Sequence, residues 1–197
     1  MFNNFFRIFH ILVGIVLLLI LIFDLFSTPS IPNFLSYFTI QTNILSALVF
    51  LYVGINKDKK PVKDLLRGGI TTYMIITGIA YALLLEKTQG QLDYPWINLV
   101  YHKIMPALVT ISWIFFPVKL HLRYKQAFLW LVFPLIYGVY TLIRGLLVNW
   151  YPYDFVNPIK IGYGAVFLNF AVFCFMLFIT SILLIFFTKT LKEFFKT

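Results

Sequence analysis

The residues able to do chemistry are few, and they fall in one depth range of an otherwise apolar chain. Thr39, Gln41, Thr42 and Asn43 open one apolar segment, while Asn98, His102 and Lys103 lie early in another. Arg144 and Asn169 stand at a similar depth in two more, and Asp24 and Glu86 close two others. Thr39 and Asn43 are four residues apart, so on a helix they share a face, with Thr42 alongside. A threonine hydroxyl is a poor nucleophile until a base takes its proton, and neutral imidazole is the usual base near pH 7. Pairing Thr39 with His102 would give acyl-transfer chemistry, with Asn43, Asn98 or backbone N–H groups as oxyanion donors. Lys103 or Arg144 would bind a carboxylate headgroup, and Asn169 completes the polar layer as a substrate-binding residue. The plainer alternative is that threonine and asparagine join helices, that Asp24 and Glu86 are interfacial, and that Lys103 and Arg144 snorkel.

The elements that must hold these residues follow from composition. Of 197 residues, 61% are hydrophobic, 20% aromatic and only 12% charged, and mean hydropathy is +0.89. Soluble domains carry about twice that share of charge, so this chain has too little polar surface to cover a water-soluble body. About 20 apolar residues cross a bilayer. Six such segments run at about 8–26, 36–54, 66–85, 96–117, 128–148 and 162–187, which predicts an all-α, single-domain bundle of six transmembrane helices over residues 1–197. The first segment is too long for a signal-peptide core and has no small-x-small cleavage pattern, so it reads as a retained helix. His102 then lies roughly 9 Å into its helix at about 1.5 Å per residue.

The net charge of +9 is a topology signal. Arg7, five cations between positions 56 and 67, then Lys119, Arg123, Lys125, Lys189, Lys192 and Lys196 all belong to one side. Only Lys87 and Lys160 belong to the other. The positive-inside rule makes the first side cytoplasmic, with both termini there. Tyr94, Trp96, Trp150, Tyr151 and Tyr153 mark the opposite face as interfacial rings. The charge therefore implies contact with anionic lipid and no nucleic-acid partner. The residue usage, rich in Phe, Ile, Lys, Tyr and Asn, suits an AT-rich genome and hence a bacterial plasma membrane.

Other chemistry is poorly supported. The single Cys174 excludes an internal disulfide and a cysteine-based zinc site. No metal site and no cofactor are expected. A haem held by His10 and His121 is a minor alternative. No carboxylate is placed deep in a span, which disfavours a coupled transporter with a buried acid.

Three stretches carry a resemblance. Ser36-Tyr-Phe-Thr-Ile-Gln-Thr-Asn-Ile-Leu45, Asn98-Leu-Val-Tyr-His102 followed by Pro106, and Trp150-Tyr151-Pro152-Tyr153 with Asp154 and Asn157 resemble small bacterial six-span membrane proteins. Those are similar to the animal androgen-induced and androgen-dependent membrane proteins, which are threonine hydrolases of hydroxy-fatty-acid esters. The resemblance implies a nucleophile at Thr39, a base at His102 and a lipid ester as partner. The rival expectation is a non-catalytic bundle that binds a lipid or small molecule, or a transporter component.

Overall fold

The computed structural model describes residues 2–56, 61–85, 94–116, 118 and 120–194. Glu86 and the loop cations Lys57, Lys59, Lys60, Lys87, Lys119 and Lys196 lie outside the described residues. The described chain is all-helical. Helix α1 spans Phe2–Ser27 and the short α2 spans Ile31–Phe34. Helix α3 is Phe38–Ile55, and α4 is Pro61–Ala80, continued by a π-helical turn over Tyr81–Leu85. Then come α5 (Pro95–Leu99), a second π turn (Val100–Ile104), α6 (Met105–Phe115) and α7 (Gln126–Val148). A 3₁₀ turn (Asp154–Val156), α8 (Pro158–Ile161) and α9 (Tyr163–Phe194) complete the chain.

Prolines and two left-handed residues punctuate this order. Pro29 follows the end of α1, and Pro61 and Pro95 begin α4 and α5, where the missing N–H costs nothing because the first helical turn has no partner for it. Asn149 (φ 51°) ends α7 and Gly162 (φ 78°) separates α8 from α9. Asparagine and glycine are the residues that tolerate this backbone region. Together they bound a strap, residues 149–162, that turns back over one end of the bundle.

Among the described residues, five helical stretches are long and apolar enough to cross a membrane: Asn4–Ser27, Phe38–Ile55, Pro95–Phe115, Gln126–Val148 and Tyr163–Thr190. The sixth expected segment, 66–85, is helical, but α4 begins earlier, so Lys63 and Asp64 join Arg67 on the helix. Its position explains how the fold accommodates them. Helix α4 packs against α3, α6, α7 and α9, so it is the innermost helix, with Ile70, Thr71, Thr72 and Met74 buried in succession. A helix surrounded by protein can satisfy polar groups with neighbours and needs no uniformly apolar surface.

The burial of Arg67 and Asp64 departs from expectation. Both count as loop residues in the sequence, yet Arg67 is 3% exposed and Asp64 8%. Arg67 donates to Asp64 Oδ1 at 3.3 Å and to the Ser112 and Phe116 carbonyls at 2.9 Å each. Asp64 Oδ2 accepts the Leu120 N–H. A buried carboxylate does exist, then, but it is tied to an arginine and a loop backbone. Hydropathy misplaced it because α4 extends beyond its apolar run.

The ends of the bundle differ in kind. At one, Arg7 donates to the Gly54 carbonyl and Lys189 lies over the Tyr124 ring. At the other, Phe23 meets Tyr94 and Trp96, Tyr37 meets Trp150 and Tyr153, and Arg144 lies over Trp150. The strap belongs to this aromatic end. Gly145 fixes its first turn, since a Cβ there would stand 2.0 Å from the Tyr151 ring.

Candidate functional site

Near the aromatic end, the α3 hydroxyl and the imidazole nominated by the sequence meet. Thr39 Oγ1 lies 3.2 Å from His102 Nε2, and both residues are buried. The other ring nitrogen, Nδ1, lies 3.1 Å from the Asn98 carbonyl oxygen. A carbonyl can only accept, so the proton sits on Nδ1 and the Nε2 lone pair faces the Thr39 hydroxyl. Nucleophile, base and an orienting acceptor thus stand in sequence, within the range in which a general base works.

Local sequence explains the imidazole's position. Pro106 has no N–H to offer the carbonyl four residues before it, that of His102. The helix responds by widening into the π turn Val100–Ile104, in which the Met105 N–H reaches back to the Val100 carbonyl. Single π turns of this kind occur often at functional sites. Gly78 of α4 lets that turn come close, since a Cβ there would stand 3.3 Å from the His102 carbonyl oxygen and from Pro106. A second π turn places Tyr81 flat on the imidazole, with ring centroids 4.3 Å apart and planes 21° apart.

Thr39 occupies the second position of α3, after an extended Tyr37 that caps the helix without a side-chain bond. The first N–H groups of a helix lack intrahelical partners and carry the positive end of its dipole. The Thr39 N–H points to the Tyr153 hydroxyl at 3.4 Å, and the same hydroxyl lies 3.5 Å from Thr39 Oγ1.

Thr39 also lines an apolar cavity that opens between α3, α4, α9 and the strap. Phe38, Phe170 and Phe173 make much of its wall, and Tyr81, Tyr153 and Asn169 contribute polar edges. The space is apolar with few polar groups, as small-molecule sites generally are.

The remaining nominated residues are committed elsewhere. Asn43 donates to the Thr39 carbonyl of its own helix at 2.9 Å and to the Tyr101 carbonyl at 3.4 Å, so the second amide hydrogen joins α3 to the π turn. The Asn98 amide donates to the Tyr81 hydroxyl at 2.7 Å. Asn169 donates to the Phe155 carbonyl at 2.8 Å and so fastens the strap to α9. Lys103 stands over the Tyr81 ring, 5.9 Å from its centroid. Arg144 donates to Asn33 at 2.6 Å. Thr42 bonds the Thr39 carbonyl, and Gln41 bonds the Leu35 carbonyl. The layer therefore resolves into a Thr39–His102 centre and a frame that holds it.

Two tyrosines enter the site that the sequence did not nominate for it. Tyr153 reads as an interfacial ring, and Tyr81 carries no signal in the sequence that sets it apart. The proline that punctuates the strap beside Tyr153 was visible, but not the fold-back that brings it to Thr39.

His10 is buried among phenyl rings, with Nδ1 bonded to the Phe6 carbonyl and Nε2 to Ser112 Oγ at 2.7 and 2.8 Å. Both nitrogens are used, which removes His10 as a haem ligand, and His121 is exposed. Among the described residues, no three of His, Cys, Asp and Glu come together.

Comparison with family models, with curated proteins and with solved structures finds no match.

Proposed function

We propose that this protein is an intramembrane lipid-ester hydrolase with Thr39 as nucleophile and His102 as base. The observation that carries the proposal is the buried 3.2 Å contact between Thr39 Oγ1 and His102 Nε2, with Thr39 on the wall of an apolar cavity. His102 takes the Thr39 proton as Oγ1 attacks the acyl carbonyl. The leaving alkoxide takes that proton, and an acyl-threonine remains. Water, deprotonated in turn by His102, attacks the acyl-threonine, Thr39 Oγ1 leaves with that proton, and the free acid is released. The phenyl-lined cavity suits an acyl chain, and the resemblance to the androgen-induced and androgen-dependent hydrolases points to the same chemistry.

The same reading sets the protein in a bacterial plasma membrane as six spans with both termini cytoplasmic. Helix α4 with its π turn serves as the span shielded from lipid. The centre then lies toward the outer leaflet. Support for this comes from the cations gathered at one end and the aromatic rings at the other.

The test is incubation of the purified protein with a fluorophosphonate probe and with 4-nitrophenyl octanoate, beside Thr39→Ala and His102→Ala. Labelling at Thr39, with turnover abolished in both variants, is the expected result. Absence of labelling and turnover in the wild type would reject the hydrolase. Saturable binding of a fatty-acid ester, equal in all three proteins, would then favour a lipid-binding bundle.

A further inference from the structure

We infer that Tyr153 is the oxyanion donor of this centre, a further catalytic residue carried on the 149–162 strap; the inference rests on the hydrolase reading. Acyl transfer needs a donor where the carbonyl oxygen becomes negative. The side-chain amides nearest the pair are engaged, Asn43 by two carbonyls and Asn98 by Tyr81. The Tyr153 hydroxyl is differently placed. Its oxygen accepts the Thr39 N–H at 3.4 Å, which leaves its own proton to donate. It lies 3.5 Å from Thr39 Oγ1 and lines the same cavity.

The geometry of attack makes that proton useful. In the tetrahedral intermediate, Oγ1 and the former carbonyl oxygen are bonded to one carbon. A donor within reach of Oγ1 from the cavity side is therefore within reach of the new oxyanion. His102 is on Oγ1 already and receives its proton, so the two functions fall to different groups. As the Thr39–acyl bond forms, the carbonyl π pair moves onto oxygen, and Tyr153 donates a hydrogen bond without giving up its proton. The pair then returns, the ester C–O bond breaks, and the alkoxide leaves with the proton from His102. The same hydroxyl serves again when water attacks the acyl-threonine.

The strap is built to hold the phenol there. Phe155 stacks on the Tyr153 ring with planes 12° apart and centroids 5.0 Å apart. Tyr37 meets it edge-on. Asn169 fixes the Phe155 carbonyl, and Lys160 bonds Asp154 at 2.6 Å. Burial pushes the phenol up to about 12, so it remains a neutral donor through the working range. The positive end of the α3 dipole adds to the same charge stabilisation.

Full-length wild type, Y153F and Thr39→Ala in detergent micelles provide the test. Y153F keeps the ring stack and removes one oxygen. With 4-nitrophenyl octanoate and the fluorophosphonate probe, it is expected to lower kcat and the labelling rate at Thr39 about 100-fold. KM and Tm should stay near wild type, and 3-fluorotyrosine at position 153, which restores the hydroxyl, should recover turnover. Wild-type labelling at Thr39 together with Y153F turnover within twofold would overturn the Tyr153 role and leave the hydrolase standing. A raised KM or a lowered Tm at unchanged kcat would make Tyr153 a strap residue only, and overturn it too. A wild type that neither labels nor turns over would remove both readings.

Discussion

Among the described residues, two hydroxyl–imidazole pairs are buried in the bundle, and their surroundings separate them. Near the aromatic end, Thr39 lines a cavity and His102 stands 3.2 Å from its hydroxyl. Near the cationic end, Ser112 and His10 are closer, at 2.8 Å. Yet His10 is 0% exposed and ringed by Phe6, Phe9, Phe50 and Phe116. Arg67 lies beside it, donating to the Ser112 carbonyl. The shorter bond belongs to the packed pair. Distance between a hydroxyl and an imidazole is therefore not what makes a site; room for a third, reacting atom is. One pair faces such room and the other is filled in by phenyl rings.

The largest effect should separate the pairs directly. His102→Gln keeps a polar side chain but has no basic nitrogen, and is expected to lower 4-nitrophenyl octanoate turnover about 1000-fold, since a positioned base contributes on the order of 10²–10⁴. His10→Gln should leave turnover per folded molecule within about twofold. Equal losses in both variants, measured against folded protein by size-exclusion, would break the contrast and make the inner pair part of the chemistry.

The inner network should matter for folding instead. Asp64 neutralises Arg67 in a site almost closed to solvent, and Asp64→Ala leaves that cation without its counter-ion. Removing one partner of a buried ion pair costs on the order of 3 kcal/mol. Asp64→Ala is thus expected to lower the midpoint of denaturation markedly while the surviving folded fraction labels at Thr39 at the wild-type rate. An unchanged midpoint would show that the pair is spectator charge.

These contrasts also show what was legible in the sequence. Depth marked out a polar layer that includes Thr39 and His102, because polar groups in apolar spans are costly and few, and their chemistry as nucleophile and base, with the family resemblance, set the pair apart. The helices were legible too, as apolar runs between prolines and charges. Three things were not. Which polar residues face one another depends on helix packing, so Asn43 and Asn98 carried the same signal as His102 although they serve as frame. The π turn at His102 was hinted at by Pro106, but its register depends on Gly78 in another helix. Tyr153 was hidden for a different reason: its strap folds back through a left-handed Asn149, and an aromatic at a helix end reads as a membrane anchor whether or not its hydroxyl has another task.

Gly78 allows a subtler test at the outer pair. A Cβ there meets both the His102 carbonyl and Pro106 at 3.3 Å, so Gly78→Ala must push the π turn away by a few tenths of an ångström. A base that works by a single hydrogen bond is sensitive to such a shift. Turnover should fall about tenfold, roughly 1.4 kcal/mol in barrier, with stability little changed because alanine favours the helix. A rate indistinguishable from wild type would mean that the close approach of α4 is packing alone.

The smallest effect sharpens the comparison from the other side. Ser112→Ala removes the partner of His10 Nε2 but leaves the Ser112 carbonyl, and so the Arg67 contact, in place. One buried hydrogen bond is worth about 1 kcal/mol net. The variant should therefore lose about that much stability and no turnover. Thr39→Ala at the other pair removes an equivalent hydroxyl with the opposite balance, since turnover vanishes while stability changes by a similar small amount. If Ser112→Ala instead slowed turnover, the two ends of the bundle would be coupled through α6, which carries Ser112 and follows directly from the π turn of His102.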